Sequence, residues 1–204
     1  LWEPALEIAV YDLGLNEEQL EEMRSWCGVE VVPYISNALA GGELPEHLKM
    51  LKNFAWKALV LRHSVERFGK VLYLDSGIEL RKPIGKIVSD RIDADGYFCV
   101  GIGDSLIWGA RPQQAKFFNE TLETFLGKPL IAGGIHGVSY WGPAYRGLVV
   151  PAAECSLHAR CITPEKSEGE VRSFGKDQPV FSMRAYTSTA AQCIIDPSFT
   201  RFSG

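Results

Sequence analysis

A strand–helix–strand pattern at the start of the chain most constrains its fold. Residues 6–11 form a short apolar run that ends at Asp12, which is typical of a buried strand. Asn16 then has the character of a helix N-cap, and Gln19 completes a capping box three residues later. Residues 29–32 form a second short strand. Connections this tight favour parallel strands, so the sequence predicts an α/β fold with a mainly parallel, twisted sheet flanked by helices.

Apolar patterns farther along the chain extend this prediction. Apolar side chains recur every three or four positions through residues 45–69, which indicates an amphipathic helix. The continuous apolar run that follows predicts an interior strand over residues 71–74. The other predicted elements are a strand over 97–101, a helix over 113–125, short strands and loops over 131–147, a polar loop over 163–178 and a helix over 180–186.

The composition limits the class of protein. With 204 residues, of which 46% are hydrophobic, the chain suits one domain over residues 1–204 with a substantial core. A net charge of −4 argues against a nucleic-acid partner, because nucleic-acid binders carry basic patches. No apolar run approaches the roughly 18 residues of a membrane-spanning helix, so no membrane segment is predicted. Residues 1–4 also lack the charged start of a signal peptide.

The cysteines give two different predictions. Cys27, Cys99 and Cys193 lie among apolar residues and predict buried free thiols. Cys155 and Cys161 lie close together in a polar stretch, and we expect them to bond to each other if the protein matures in an oxidising compartment. No CxxC pair is present in the sequence, which argues against a zinc site.

One short motif bears on the compartment. Residues 119–121, Asn-Glu-Thr, form an N-glycosylation sequon, which has meaning only in a secreted protein. Together with the expected bridge, the sequon favours the secretory pathway, with the Golgi lumen as the expected location.

The end of the strand over residues 70–74 is the first place to look for chemistry. Ligands of parallel sheets bind at the carboxyl ends of strands, and Asp75 stands there, followed by Ser76 and Gly77 in a tight turn. A carboxylate at this point can accept hydrogen bonds from a ribose or hold a hard divalent cation against a diphosphate. The alternative is that Asp75 only caps the turn after the strand.

This segment resembles the strand and D-x-D element of GT-A glycosyltransferases, especially glycosyltransferase family 8. The likeness rests on Val-Leu-Tyr-Leu-Asp-Ser-Gly-Ile-Glu-Leu over residues 71–80, and on other segments in the same order as in that family. Residues 8–19 are similar to the family's second strand and the helix that follows it. Residues 54–57 fall where the family carries a basic residue that contacts the donor. Residues 132–134 resemble its N-A-G turn, and residues 177–178 resemble its D-Q pair. A little-characterised eukaryotic group that shares Y-D-L-G-L, a W-K helix, L-D, a C…C segment and D-Q is even more similar.

The resemblance implies a GT-A-like fold and a reaction. A sugar would move from a nucleotide-diphosphate sugar to a hydroxyl of a glycan or protein acceptor, with retention of anomeric configuration. The implied donor-binding residues are Lys57, Asp75, Ser76, Gly77, Gly133 and Gly134. The implied catalytic residues are Asp177 and Gln178, and Asp75 is the implied ligand of Mn²⁺ or Mg²⁺.

The chain departs from the family pattern at three places. Gly77 replaces the second Asp of D-x-D, so a residue that is usually a metal ligand in the family is missing here. Ile131 replaces the Asn of N-A-G, which bears on the handling of the sugar. The family's first strand and helix should precede Leu6, so the domain over residues 1–204 is expected to lack a unit that helps to bind the nucleotide base.

The candidate residues also have structural interpretations. Lys57 is equally explained as a snorkelling side chain, Gly133 with Gly134 as a strand bulge, and Asp177 as a helix start. His136 and His158 are interpreted as packing or surface residues. For the whole chain, the alternatives are a catalytically silent GT-A-like domain that binds a glycan or protein, and another α/β enzyme such as a phosphotransferase or hydrolase. The sequence has neither a G-x-S-x-G elbow nor a P-loop.

The functional interpretation predicts a specific geometry. Lys57, Asp75 and Asp177 should face one pocket that Gly133 and Gly134 also line, whereas under the structural interpretation each residue serves only its own turn or helix. An Asp75→Ala variant is expected to lose transfer while keeping nearly unchanged thermal stability.

Overall fold

The computed structural model describes most of the chain. The described residues are 6–33, 44–80, 83–163, 176–189, 193–194 and 201–202. Their strands are β1 (Ile8–Asp12), β2 (Val29–Pro33), β3 (Lys70–Leu74), β4 (Ile78–Glu79), β5 (Tyr97–Ser105), β6 (Pro129–Ser139) and β7 (Arg201–Phe202). Their helices are α1 (Glu17–Ser25), α2 (Glu46–Lys49), α3 (Trp56–Phe68), α4 (Gly85–Asp95), α5 (Leu106–Gly109), α6 (Pro112–Phe117), α7 (Val150–Leu157), α8 (Ala159–Ile162) and α9 (Asp177–Ser188). This mixture confirms the α/β class.

The strands pair in three groups. β1 and β2 are parallel, and α1 between them begins at the predicted capping box of Asn16 and Gln19. β3, β6 and β5 form an antiparallel sheet in that order, and β4 pairs antiparallel with β7. The prediction of a mainly parallel sheet is therefore wrong for the larger sheet. β3 and β5 do point in the same direction, joined through α4, but β6 runs antiparallel between them.

β6, and not β3, occupies the middle of the larger sheet. β3 lies at the end of the strand order, pairs with β6 alone among the described strands, and has half-buried residues at 71–74. Every β6 residue after Pro129 is buried. The interior position predicted for residues 71–74 is corrected accordingly, because apolar content shows that a strand packs against a core and does not show how many strands flank it.

The glycines of β6 adapt it to this position. A side chain on Gly137 would lie 2.8 Å from Cβ of Phe98 and 2.9 Å from a terminal carbon of Ile92. The prediction of short strands and loops over residues 131–147 is therefore wrong for residues 131–139. These glycines make room for neighbouring side chains and do not break the strand.

The helix predicted for residues 45–69 is divided. α2 and a 3₁₀ turn precede Phe54, whose φ of 56° places it in the left-handed region, and α3 begins at Trp56. The side-chain amide of Asn53 donates to the carbonyl of His47 at 2.9 Å within the irregular segment. The apolar spacing continues through the break, so periodicity alone does not reveal it.

The helix predicted for residues 113–125 ends early. α6 stops at Phe117, Asn119 adopts a φ of 58°, and Leu122–Phe125 forms a 3₁₀ turn. Asn occupies the left-handed region more readily than most residues, which explains the turn at this point.

The last long helix agrees with the prediction in type and differs in extent. α9 confirms the helix predicted over residues 180–186 and extends it back to Asp177. Residues 177–178 are therefore helical, and not part of the loop predicted over residues 163–178. Residues 164–175 of that loop lie outside the described residues.

Helices pack on both faces of the larger sheet, as predicted. On one face, Leu61 of α3 and Phe181 of α9 belong to the same buried cluster as Ile131 of β6. On the other face, Ile92 of α4 packs in a cluster with Phe98 of β5. None of the described helices is both long and apolar enough to cross a bilayer.

Two disulfides are present in the described residues. Cys155 and Cys161 are bonded to each other, which confirms the prediction. Cys99 is bonded to Cys193, so the prediction of free thiols is wrong for both, and Cys27 is free but exposed. A buried thiol and a buried half-cystine lie in the same apolar surroundings, and for this reason the sequence did not separate them.

The residue after Cys193 is attached to β5. The N–H of Gly101 donates to the carbonyl of Ile194, and the N–H of Ile194 donates to the carbonyl of Cys99, both at 2.9 Å. Ile194 thereby forms a parallel bridge with Val100, at the point where the register between β5 and β6 shifts.

Candidate functional site

A cluster of three charged side chains forms where β3 ends. The ammonium nitrogen of Lys57 lies 2.7 Å from Oδ2 of Asp75 and 3.6 Å from Oδ2 of Asp177. The three residues lie together as predicted, while the pocket that they were expected to face stays a prediction. The side chains of Lys57 and Asp177 are 7% and 2% exposed, and that of Asp75 is 34% exposed, so the cluster reaches solvent mainly through Asp75.

Three separate elements deliver these side chains. Lys57 is in the first turn of α3, three residues after the left-handed Phe54. Asp75 continues the β3 ladder by one residue, because its N–H donates to the carbonyl of Gly134 at 2.8 Å. Asp177 is the first residue of α9, and its neighbour Lys176 donates to the side chain of Asn53 at 2.7 Å, which connects the start of α9 to the segment before α3.

Both carboxylate oxygens of Asp75 accept hydrogen bonds. The hydroxyl of Tyr73 donates to Oδ1 at 2.6 Å, and Lys57 donates to Oδ2. Burial, and then the negative charge of Asp75, raise the pKa of the Tyr73 phenol far above its usual range, so Tyr73 acts as a neutral donor. Sequence reasoning missed Tyr73, although residues two apart on a strand share a face, and that spacing was available as a signal.

The two predicted glycines lie against the same cluster. A side chain on Gly133 would lie 2.5 Å from Cγ of Gln178 and 2.8 Å from Oδ2 of Asp177, and one on Gly134 would lie 2.9 Å from Oδ2 of Asp75. The space above these glycines is thus occupied by the protein's own polar side chains. The shifted register between β5 and β6 also fits the interpretation of this segment as a bulge.

Ser76 and Gly77 form the exposed rim of the site. The N–H of Ile78 donates to the carbonyl of Asp75 at 2.9 Å, which closes a turn with Ser76 and Gly77 at its tip. On another side, the ammonium of Lys57 lies 4.9 Å from the centre of the Phe54 ring, within the range of a cation–π contact. These residues lie around the exposed carboxylate of Asp75.

Asp177 is the group of the cluster whose ionised form is least favoured by its surroundings. Neither of its oxygens has a hydrogen-bond partner within the described part of the chain, and the ammonium of Lys57 is beyond hydrogen-bond distance. Burial raises the pKa of Asp177 to about 6, and the positive charge of Lys57 opposes that rise without cancelling it. The ionised form of Asp177 is therefore held at a cost near neutral pH.

An Asp177→Asn variant is expected to be more stable than the wild type above pH 6. The folded pKa of about 6 lies above the ordinary value, so the wild-type free energy of unfolding should fall as pH rises from about 4 to about 6. Removing the ionisable group should raise that free energy by about 1–3 kcal/mol at pH 7.5 and flatten the pH dependence. Urea unfolding between pH 4 and 8 measures this. Asp90→Asn on exposed α4 is the control, and equal pH profiles for wild type and Asp177→Asn would contradict the prediction.

His136 lies next to the cluster in the sheet. It is paired with Tyr73 across β3 and β6, and its Nδ1 lies 2.7 Å from the hydroxyl of Tyr97. Burial lowers the pKa of His136 to about 3, so the imidazole is neutral. The imidazole ring of His136 also contacts the rings of Tyr97 and Phe181, which agrees with its interpretation as a packing residue.

The side chains at this site do not by themselves form a metal cage. No group of three or more His, Cys, Asp or Glu residues arranged to hold a metal ion exists among the residues that the structure describes. Asp75 is already engaged by Tyr73 and Lys57, and Gly77 supplies no second carboxylate. The Mn²⁺ or Mg²⁺ implied by the family resemblance therefore does not fit these side chains alone, and it stays a prediction that concerns Asp75.

Two helix N-termini also meet at the cluster. Lys57 belongs to the first turn of α3 and Asp177 to the first turn of α9, and their charged groups lie 3.6 Å apart. The unpaired N–H groups and the dipole of a helix N-terminus favour negative charge. Two carboxylates already flank the ammonium of Lys57, so the three side chains together carry one net negative charge when all of them are ionised.

The comparisons with known proteins do not identify a relative. No protein-family model, no curated protein and no solved structure matches this chain.

A Gly133→Ala variant is expected to destabilise the protein by about 1–3 kcal/mol, because the added methyl group would collide with Gln178 and Asp177. Gly137→Ala is the matched control, since it overpacks the same strand against Phe98 instead of the charged cluster. Both variants should lose stability in urea, but only Gly133→Ala should also shift the pH dependence between 4 and 6. A Gly133→Ala protein with wild-type stability would show that this close packing does not hold in solution.

Proposed function

We propose that this chain is a nucleotide-sugar-dependent glycosyltransferase domain with a GT-A-like fold, which moves a sugar from a nucleotide diphosphate to a hydroxyl of a glycan or protein acceptor. The observation that carries the proposal is the position of Lys57. It is a nearly buried cation between two carboxylates, at the first turns of two helices and beside a half-exposed aspartate at a strand end. The family resemblance of residues 71–80 supplies the reaction.

Charge is the main demand of such a reaction. The leaving nucleoside diphosphate gains negative charge as the bond to the sugar breaks, and preorganised positive groups stabilise it. In this proposal Lys57 supplies the positive charge that faces the leaving diphosphate. Asp75 holds Lys57 in place, and its exposed side can accept hydrogen bonds from donor hydroxyl groups.

Asp177 has a different role in this proposal from the one that the resemblance implies. Its side chain is 2% exposed and lies behind Lys57, so it acts on the donor through Lys57 and not by direct contact. Gln178 lies against Gly133 at the same place and keeps its proposed role beside the reacting sugar.

The test is donor binding followed by turnover. A panel of nucleoside diphosphates and their sugars is titrated by calorimetry, and release of free nucleoside diphosphate is then measured with candidate acceptors. We expect at least one nucleotide to bind, with about tenfold or greater loss of affinity in Asp75→Asn. Asp93→Asn removes the carboxylate of an exposed ion pair on α4. This variant should bind the nucleotide with wild-type affinity and is the matched control.

The outcomes separate the candidate functions. Binding with turnover supports the transferase. Binding of a nucleotide sugar or glycan without turnover supports the catalytically silent domain, which Gly77 and Ile131 favour because each replaces a polar residue of the family motifs. Absence of nucleotide binding, or equal binding by wild type and Asp75→Asn, contradicts the proposed site.

A further inference from the structure

We infer that Asn119 carries an N-linked oligosaccharide, and that the ring of Phe117 packs against its first sugar. Asn119-Glu120-Thr121 is the one sequon in the 204 residues, and no proline lies within it or directly after it. This modification is independent of the proposed transferase activity and holds for a catalytically silent domain as well.

The backbone presents Asn119 outward. α6 ends at Phe117, and the turn is closed by backbone bonds from Asn119 N–H to the carbonyl of Lys116 at 3.1 Å and from Glu120 N–H to the carbonyl of Ala115 at 2.9 Å. The backbone donors of the sequon are therefore directed into the turn. Asn119 itself is exposed, with its φ of 58° at the turning point, which is the accessible geometry that a modifying enzyme requires.

Thr121 completes the recognition element. It is exposed and lies just before the 3₁₀ turn of Leu122–Phe125, in extended backbone conformation with φ −119° and ψ 161°. Asn119 and Thr121 are thus both accessible in one short surface segment. The helix predicted over residues 113–125 would have enclosed the sequon. In such a helix neither Asn119 nor Thr121 would be presented in a turn.

An aromatic side chain lies two residues before the sequon. Phe117 is 38% exposed, and its ring contacts Phe118 and His158 with centroids 5.3 Å and 5.5 Å away. The C–H face of a pyranose is apolar, and an aromatic ring beside a glycosylated Asn gains buried surface by packing against it. The exposed part of Phe117 is available for such a contact.

The disulfides point to the compartment in which this modification occurs. Cys99–Cys193 and Cys155–Cys161 both require oxidising conditions, as in the lumen where N-glycosylation takes place. The second bond fastens α7 to α8, and α8 packs against α6, the helix that ends at the sequon. The sequon and this disulfide therefore belong to the same side of the molecule.

The covalent step needs a lipid-linked oligosaccharide diphosphate and the membrane transferase that uses it. The side-chain nitrogen of Asn119 forms a bond to C1 of the first sugar and gives up one proton, which passes to water. The bond between C1 and the diphosphate oxygen breaks, and its electron pair leaves with the lipid diphosphate. No oxidant or reductant takes part.

The experiment directs the full chain into the secretory pathway of a eukaryotic host and maps peptides before and after treatment with peptide N-glycosidase. We expect residue 119 to carry a glycan that the enzyme removes, leaving aspartate there. Thr121→Ala should abolish the modification, whereas Thr121→Ser keeps the sequon and should remain modified. An unmodified Asn119 in the wild-type protein, or a glycan that persists in Thr121→Ala, overturns the inference.

A second measurement tests the contact with Phe117. Removing the glycan from the wild-type protein should lower Tm by about 1–5 °C, because an aromatic contact of ordinary strength is lost. The Phe117→Ala protein should remain glycosylated but show a much smaller change in Tm on deglycosylation. An equal change in both proteins overturns the proposed packing and leaves the peptide map to decide on the modification itself.

Discussion

In the proposed reaction, Lys57→Met is expected to reduce sugar transfer by about 100- to 1,000-fold, which is the usual effect of removing one preorganised group that stabilises developing negative charge. Methionine keeps most of the length and apolar character of the lysine stem but carries no charge. The variant is expected to fold with a lower Tm, because methionine keeps the apolar length of the buried Lys57 stem but leaves the buried carboxyl group of Asp177 without its cation.

The measurement is kcat and kcat/KM for release of nucleoside diphosphate, together with Tm. A lower kcat with little change in KM would place Lys57 at the transition state, and a higher KM with unchanged kcat would place it in ground-state binding of the donor. Lys70→Met removes an exposed lysine at the other end of β3 and is the control. Near-wild-type turnover by Lys57→Met would refute the role given to this residue.

Loss of the Cys99–Cys193 bond is the change with the largest expected effect on stability. The two cysteines are separated by 94 residues, whereas Cys155 and Cys161 are separated by 6. Loop-closure entropy predicts about 4–5 kcal/mol for the long loop and about 2 kcal/mol for the short one. A Cys99→Ala/Cys193→Ala protein should therefore have the lower free energy of unfolding of the two double variants.

Chemical denaturation of both double variants and the wild type, without reductant, measures the difference. The Cys155→Ala/Cys161→Ala protein is the control because it also replaces one bonded pair of cysteines by alanine. With reductant present, the wild type should lose stability by the amount lost in removing both bonds. Equal stability of the two double variants would mean that native contacts around Ile194, and not the length of the closed loop, determine the contribution of the long-range bond.

The part of the site that the sequence predicts is the part that local pattern determines. Asp75 follows an apolar strand, and the polar residue at such an end is recognisable without any knowledge of the fold. Lys57 and Asp177 carry no such local signal. They were predicted only because the order of the motifs around them resembles that of GT-A enzymes. Tyr73 was missed because it lies between Leu72 and Leu74, in an apolar run that is typical of core residues.

The fold was predictable where each element forms from its own residues, and not where it depends on distant ones. The capping box at Asn16 and the helix over residues 180–186 are local features, and both are present. The insertion of β6 between β3 and β5 depends on side chains such as Phe98 that fill the space above its glycines. The same long-range dependence explains the missed bond between Cys99 and Cys193.

The charged cluster is assembled from segments that are far apart along the chain, and this affects when a folding chain completes it. Lys57 lies 18 residues from Asp75 and 76 from Gly133, whose carbonyl it also approaches. Contacts between distant segments form late, because the entropy of closing the intervening loops must be overcome first. A refolding chain can therefore regain its helices well before Lys57 meets its partners, and recovered helicity overestimates the number of molecules that possess a complete site.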